Sequence, residues 1–238
     1  MAFRRKRKYR GRRRKKSRGI QRIKTYRYRA RNIGGDNAFA KLRYTIGTTR
    51  TIPTGASFIA SNDYQITSGN DLYNLLGSTP GLSTLASQFT QYRIYGIKLK
   101  FTAWPSDPAV PVVMYTNAAA TPLDLITTPN SSNLPEQRWA RYKVCNPTTA
   151  GARPSTMTVY YSTKKIVGPD VSVKTDLDYT GTIAGVSPYW SVPPPKGPFF
   201  EYGAYTMSGL NPTVAIHIIY KIEATLYAKF WGKKALVQ

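Results

Sequence analysis

One cysteine, Cys145, and one histidine, His217, are all that 238 residues offer of the two side chains most used for metal ligation and nucleophilic chemistry. A lone cysteine excludes an intrachain disulfide and a cysteine-based zinc site. The chain therefore reads as a protein of a reducing compartment, held together by packing. Acidic residues are scarce too, 11 Asp plus Glu against 35 Lys plus Arg, and none lies in the first 31 positions. No uncharged apolar run reaches the ~18 residues that a membrane-spanning helix needs; the longest, around Val110 to Leu123, is interrupted by Pro111 and Pro122. Membrane insertion is not expected. The basic start also lacks the roughly 7–15 apolar residues of a secretory signal.

What is present is divided unevenly. Residues 1–31 hold 17 basic side chains and no acidic one, a charge of +17, whereas residues 32–238 hold 18 basic and 11 acidic ones, a charge of +7. Two units are implied: a polycationic arm, 1–31, and a body, 32–238, long enough to bury a sizeable core. The arm has too few apolar groups and too much like charge to offset the entropy of ordering, so it is expected to be disordered on its own. Its cations are Arg4, Arg5, Lys6, Arg7, Lys8, Arg10, Arg12, Arg13, Arg14, Lys15, Lys16, Arg18, Arg22, Lys24, Arg27, Arg29 and Arg31. With Tyr9 they are the predicted nucleic-acid-binding residues, because each cation near a phosphate releases condensed counterions whatever the base sequence. Phe3, Tyr9, Tyr26 and Tyr28 interrupt the charge, and rings set among guanidinium groups stack on unpaired bases, which favours a single-stranded partner. Tyr26 and Tyr28 are equally suited to packing at the start of the body.

The same run matches a nuclear localisation signal in two parts, Arg4, Arg5, Lys6, Arg7 and Lys8, then Arg12, Arg13, Arg14, Lys15 and Lys16. Nuclear import receptors are thus expected partners. A mitochondrial presequence would need an apolar helical face that Arg4 to Arg18 lacks.

The body has an all-β composition. The chain carries 26 Thr, 18 Tyr and 17 Pro, every proline after position 52; Thr and Tyr suit a pleated, half-buried surface, and prolines confine strands to short lengths. From Val214 to Phe230 every even position is apolar, while the odd ones include His217, Lys221, Glu223, Thr225 and Lys229. Such alternation predicts one long strand with a core face and a wet face. QYRIYGIKLKFTAW alternates likewise, with Ile97, Leu99 and Phe101 against Lys98, Lys100 and Thr102. Six further strands are predicted: Lys41 to Ile52, Ser57 to Ile66, Pro111 to Asn117, Arg138 to Asn146, Thr156 to Val167, and Gly197 to Met207. Short helical patterns near Asp71 to Leu76 and Leu82 to Phe89 have Asn70 and Ser83 as cap candidates. Eight antiparallel strands with long connections and little helix predict a jelly-roll sandwich rather than an up-and-down barrel. SVPPPKGP reads as a stiff loop.

Chemistry is hard to find. His217 falls among the outward positions of its strand with no ligand partner nearby, and Cys145 would need His217 as its base; a surface histidine and a buried thiol are the expectations. Asp176 and Asp178 in KTDLDYTG lack the third ligand and terminal glutamate of a calcium loop. No GxGxxG or P-loop sequence occurs. No metal, no cofactor and no enzymatic activity are expected. Basic residues on strand faces, Arg43, Lys98, Lys100, Arg141 and Lys143, would extend the arm's footprint if they shared one side of a sheet, and would otherwise be ordinary solvated cations.

In MAFRRKRKYRGRRRKK, QYRIYGIKLKFTAWP and YKIEATLYAKFW the chain resembles capsid proteins of circoviruses and related circular single-stranded DNA viruses that encode a replication initiator. The resemblance spans the whole chain as architecture and these segments as sequence. It implies a homo-oligomer of sixty copies closing into a small icosahedral shell, the arm on packaged single-stranded DNA, a nuclear phase that uses host import receptors, and residence in the virion. Sixty arms of +17 bring about a thousand charges, enough for on the order of a kilobase of single strand at one charge per phosphate. Trp104, Trp139, Trp190 and Trp231 are candidate interface anchors, with core packing the equal alternative. Phosphate contacts carry no 2′-hydroxyl information, so the jelly-roll coat of a small or satellite RNA virus is the nearest alternative. A ribosomal or chromatin-type binder and a β-sandwich enzyme or lectin are more distant.

Overall fold

The computed structural model describes residues 36–61, 63–69, 71–72, 79–106, 111–122, 134–146, 153–185, 189–207 and 212–234. The arm and its predicted binding and localisation residues lie outside them. The long alternation near the C-terminus becomes β11, Ile216–Lys233, whose even residues Ile216 to Phe230 are all buried. On one side it pairs antiparallel with β1, Asn37–Ile52, from Asn37 opposite Trp231 to Ile52 opposite Ile216. On the other it pairs with β4, Phe89–Pro105. These three long strands make up most of the first sheet, with β1 at its edge.

The remaining strands are short. They are β2, Phe58–Ala60, and β3, Tyr64–Gln65; β5, Val112–Ala119, and β6, Arg141–Cys145; β7, Ser155–Ser162; β8, Gly181–Ile183, and β9, Trp190–Val192; and β10, Phe199–Thr206. The first sheet runs β1-β11-β4-β8-β9, with β7 also on β4, and the second runs β2-β10-β5-β6, with β3 also on β10. The sheets thus present the orders β1-β11-β4-β7 and β2-β10-β5-β6, with every pair antiparallel. The chain changes sheet repeatedly between consecutive strands. That is a jelly roll, an all-β two-sheet sandwich.

Several details differ from expectation. The strand predicted over Ser57 to Ile66 is broken into β2 and β3, and the three-residue strands β8 and β9 fall between the strands predicted to Val167 and from Gly197. The strand predicted to Val167 stops at Ser162 and turns into helix α2, Thr163–Val167. The change falls at a bulge in β4: Tyr227 pairs with Gly96 but Ala228 with Ile94, and the last row shared with β7 is Gly96 opposite Ser162. Thr163 Oγ1 then donates to the Ile94 carbonyl at 3.1 Å. Helix α1, Leu82–Gln88, is entered through Gly81 at φ 82°, without a side-chain cap. Ser83 sits inside the helix instead of capping it, and the Asn70 expectation lies outside the described residues, as does most of the helix expected from Asp71.

Between the sheets lies a core rich in aromatic residues. Tyr202 packs at 5.5 Å from Phe101 and edge-on at 5.7 Å from Tyr220, and burying polar rings requires partners for their hydroxyls. Tyr220 Oη donates to the Gly203 carbonyl at 2.7 Å, Tyr161 Oη to Thr116 Oγ1 at 3.2 Å, and Tyr92 Oη accepts from the Gly69 amide at 3.0 Å. Burial pushes all three phenols well above their ordinary acidity range, so they remain neutral.

Candidate nucleic-acid interface

Antiparallel register lines up the odd residues of β1 and β11 with residues of β4 and β7 in rows across the outer face of the first sheet. One row is Arg43, Thr225, Lys98 and Tyr160; the next is Thr45, Glu223, Lys100 and Thr158; a third is Gly47, Lys221, Thr102 and Thr156. In the other direction come Lys41, Tyr227 and Gly96, then Phe39, Lys229 and Arg93. In these rows the solvent-facing cations Lys41, Arg43, Lys98, Lys100, Lys221 and Lys229 stand against one carboxylate, Glu223. A shallow depression over the middle is lined by Arg43, Lys98, Lys100 and Glu223, with Thr45 and Thr225 between them.

Glu223 is engaged on two sides. Lys100 Nζ donates to its two carboxylate oxygens at 3.1 and 3.2 Å, and Lys221 Nζ stands 3.3 Å from Oε1. Hydrogen bonds from Lys100 and then Lys221 hold the carboxyl below its ordinary acidity range. Among the described residues Lys41, Arg43, Lys98 and Lys229 make no ion pair.

Aromatic rings interleave with the cations toward the start of β1. Lys41 Nζ lies 5.5 Å from the centre of the Tyr227 ring, and Lys229 Nζ lies between Phe39 and Trp231, at 5.7 and 5.6 Å. The Tyr160 ring meets Tyr227 at 5.6 Å and 89°. It reaches across Gly96, where a Cβ would come within 2.9 Å of the Tyr160 hydroxyl and 2.5 Å of the Tyr161 carbonyl. Phe39 is 75% exposed and Tyr160 48%. Partial burial, with Tyr227 second, raises the Tyr160 phenol pKa, so its ring is neutral at physiological pH.

Arg93 stands at the same end, in the row of Phe39 and Lys229. It is buried and lies 5.2 Å from the Trp231 ring centre. Its guanidinium donates to the carbonyls of Lys174 and Asp176, the latter at 2.7 Å, and to Thr180 Oγ1 at 2.5 Å. The 172–180 loop is thereby fastened to the bulged part of β4.

Of the five body cations for which a shared face and ordinary solvation are the two readings, Arg43, Lys98 and Lys100 share one. Arg141 and Lys143 do not: they lie on β6 in the second sheet, because the chain changes sheets after β4. Lys143 Nζ donates to the Thr156 carbonyl at 2.9 Å, at the corner where β6 meets β7. Arg50 belongs to β1 yet turns inward, donating to the Tyr202 hydroxyl at 3.1 Å. His217 faces outward, 2.9 Å from Thr51 Oγ1, while Cys145 is buried on the other sheet; the two are not a catalytic pair. Asp176 accepts from the Asp178 amide at 2.9 Å, and Asp178 bridges Lys196 at 2.6 Å, tying the turn to the proline-rich loop. Among the described residues no group of three His, Cys, Asp or Glu side chains is gathered as a metal would need. Trp190 is core, edge-on to Tyr92 at 4.6 Å, whereas Trp104, Trp139 and Trp231 are only partly buried.

Sequence reasoning did not assemble Phe39, Lys41, Tyr160, Tyr227 and Trp231 into a site. The odd positions of the last strand were the available signal, but neighbours across strands follow only from register.

No protein family and no curated protein matches this sequence. Among solved structures it is similar to the 60-mer BFDV capsid protein, with 14% identity over 86% of this chain and 98% of that one and a TM-score of 0.48. It is also similar to the Macrobrachium rosenbergii nodavirus structure, with 15% identity over 85% of this chain but 60% of that one and a TM-score of 0.45. The Mud crab tombus-like virus structure gives 11% identity over 84% and 91% of the two chains and a TM-score of 0.46. At these values the likenesses assign no family and no activity to this chain. The class that its own strand order and side chains define is a jelly-roll protein with a cationic, aromatic sheet face.

Proposed function

We propose that this chain is a structural coat protein that associates with its own copies into a closed shell and packages single-stranded DNA. One observation carries the reading. A face with six cations against one carboxylate, and with rings among them, belongs to a chain whose first 31 residues add 17 cations and no anion. A phosphate polymer satisfies both. Arg4 to Arg18, with Arg22, Lys24, Arg27, Arg29 and Arg31, supply counterions along the strand, and the sheet face supplies a surface of cations and rings.

The rest of the proposal follows the resemblance to circovirus capsid proteins. Sixty copies form the shell, the two basic clusters within residues 4–16 serve as the nuclear address for host import receptors, and the protein resides in the virion and in the host nucleus. A folded body of jelly-roll strands provides rigid edges and long loops for contacts between copies, which a protein acting only as a monomeric nucleic-acid binder does not need. No enzymatic step is assigned.

Electron microscopy of the purified protein is the direct test, combined with nuclease treatment of the extracted cargo. Closed particles of uniform size containing DNase-sensitive, single-stranded material are expected. A monomer near 27 kDa under all assembly conditions would overturn the shell, and an entirely RNase-sensitive cargo from natural particles would replace DNA by RNA.

A further inference from the structure

We infer that the outer face around Phe39, Lys41, Tyr160, Tyr227, Lys229 and Trp231 is a binding surface for unpaired nucleotides, taking bases on its rings and phosphates on its lysines, and that it selects single strands over duplex. The inference rests on the packaging reading and gives the folded body its own share of the recognition.

Spacing is the first argument. Side chains at i and i+2 on one strand face are about 6.6–6.8 Å apart, so Lys41 and Arg43 on β1, and Tyr227 and Lys229 on β11, repeat at roughly twice the ~3.4 Å axial charge spacing of a stacked strand. That repeat suits a chain whose bases have been drawn apart. A duplex offers its phosphates at the surface but shields its bases from the rings, so the rings rather than the repeat make the distinction.

The rings themselves give the second argument. Phe39 and Tyr160 are large, exposed and no part of the core. An isolated exposed aromatic residue is commonplace, but here both stand on the same face as unpaired cations. Their neighbours hold them in place: Tyr160 lies over Gly96 against the edge of Tyr227, Lys41 stands over Tyr227, and Lys229 stands between Phe39 and Trp231. A platform already ordered loses little freedom when a base stacks on it. The lone carboxylate is occupied farther along the face by Lys100 and Lys221, so the ringed end keeps its positive potential.

The test uses the full chain, with a 20-residue oligo(dT) and a 20-base-pair duplex as probes, titrated at several salt concentrations. Oligo(dT) is expected to bind more tightly, with the preference persisting as salt rises, because stacking is not screened as charge contacts are. The double variant F39A/Y160A is expected to lose about tenfold or more in oligo(dT) affinity, given several-fold to a hundredfold per stacked ring, with duplex affinity and salt slope unchanged. Tyr160→Phe, which keeps the ring, should bind as the unaltered chain does. Ultraviolet crosslinking of the unaltered chain to oligo(dT) should label peptides containing Phe39, Tyr160 or Trp231, and decides the matter if the double variant fails to fold. Crosslinks confined to residues 1–31, or undiminished oligo(dT) binding by folded F39A/Y160A, would overturn the assignment of the face while leaving arm binding intact. Absence of polyanion binding by the full chain would overturn the packaging reading itself.

Discussion

Replacing Glu223 by Gln removes the one carboxylate among the six outer-face cations while preserving side-chain shape. In the folded chain Glu223 holds Lys100 at 3.1 Å and Lys221 at 3.3 Å, so phosphate must compete with it for two of those cations. The variant frees both. If each becomes a contact to single-stranded nucleic acid, the slope of log affinity against log salt steepens by about 1.4, from roughly 0.7 per contact. At ~0.1 M salt that corresponds to an affinity gain on the order of tenfold or somewhat more. The cost in stability is small, since exposed ion pairs are screened and contribute about 0–1 kcal/mol. Acidification should act in the same direction on binding. The two lysines hold the carboxyl below the ordinary glutamate value of 4.5, so it competes at neutral pH and ceases to do so only as pH falls through that lowered value. Its stabilising contribution has the same window: present above the ordinary value, lost on descent through the lowered one. Fluorescence anisotropy with oligo(dT) over a salt series, comparing the unaltered chain and Glu223→Gln with the same arm present, measures the effect. An unchanged or shallower slope together with equal or weaker affinity would refute the view that Glu223 competes with phosphate on this face.

Three other perturbations test separate parts of the reasoning. Deleting residues 2–31 should leave the thermal transition of the body in place and abolish most nucleic-acid affinity at low salt; full-strength binding by the deleted form would show that the body alone suffices. Gly96→Ala places a Cβ within 2.5 Å of the Tyr161 carbonyl and 2.9 Å of the Tyr160 hydroxyl. It should therefore cost about 1–3 kcal/mol in chemical denaturation and weaken oligo(dT) binding as the Tyr160 ring shifts. Arg93→Ala removes the donor to Lys174, Asp176 and Thr180. About 2–3 kcal/mol of destabilisation and faster proteolysis between residues 172 and 180 are expected, and an unaltered cleavage pattern would show that the loop is held by other contacts.

The reach of the sequence differs from element to element. Strict alternation declares β11 from Ile216 to Phe230, although Val214, which the same pattern puts on the core face, lies before the strand and is exposed; Lys98 and Lys100 are legible as outward residues for the same reason. β8 and β9 are not legible. Three residues each give no period to detect: β8 is a strand because β4 extends far enough to offer it an edge at Gln91 and Tyr92, and β9 because it pairs in turn with β8. Arg93 is hidden in a different way. The bulge at Tyr95 shifts the β4 register, so a residue that alternation alone would misplace ends 5.2 Å from the Trp231 ring centre with three oxygens around its guanidinium.

By itself the sequence determined the all-β class, the concentration of positive charge in the first 31 residues, the two long strands and their wet faces, and the poverty of catalytic groups. Each depends on composition or on neighbours along the chain. Tertiary structure decided which wet faces meet. It placed Arg43 beside Lys98 and sent Arg141 and Lys143 to the other sheet, and it brought Tyr160 onto Tyr227 from 67 positions away. Strand order and register, set by how the apolar faces close on one another, are properties of the whole sandwich, and no local pattern encodes them.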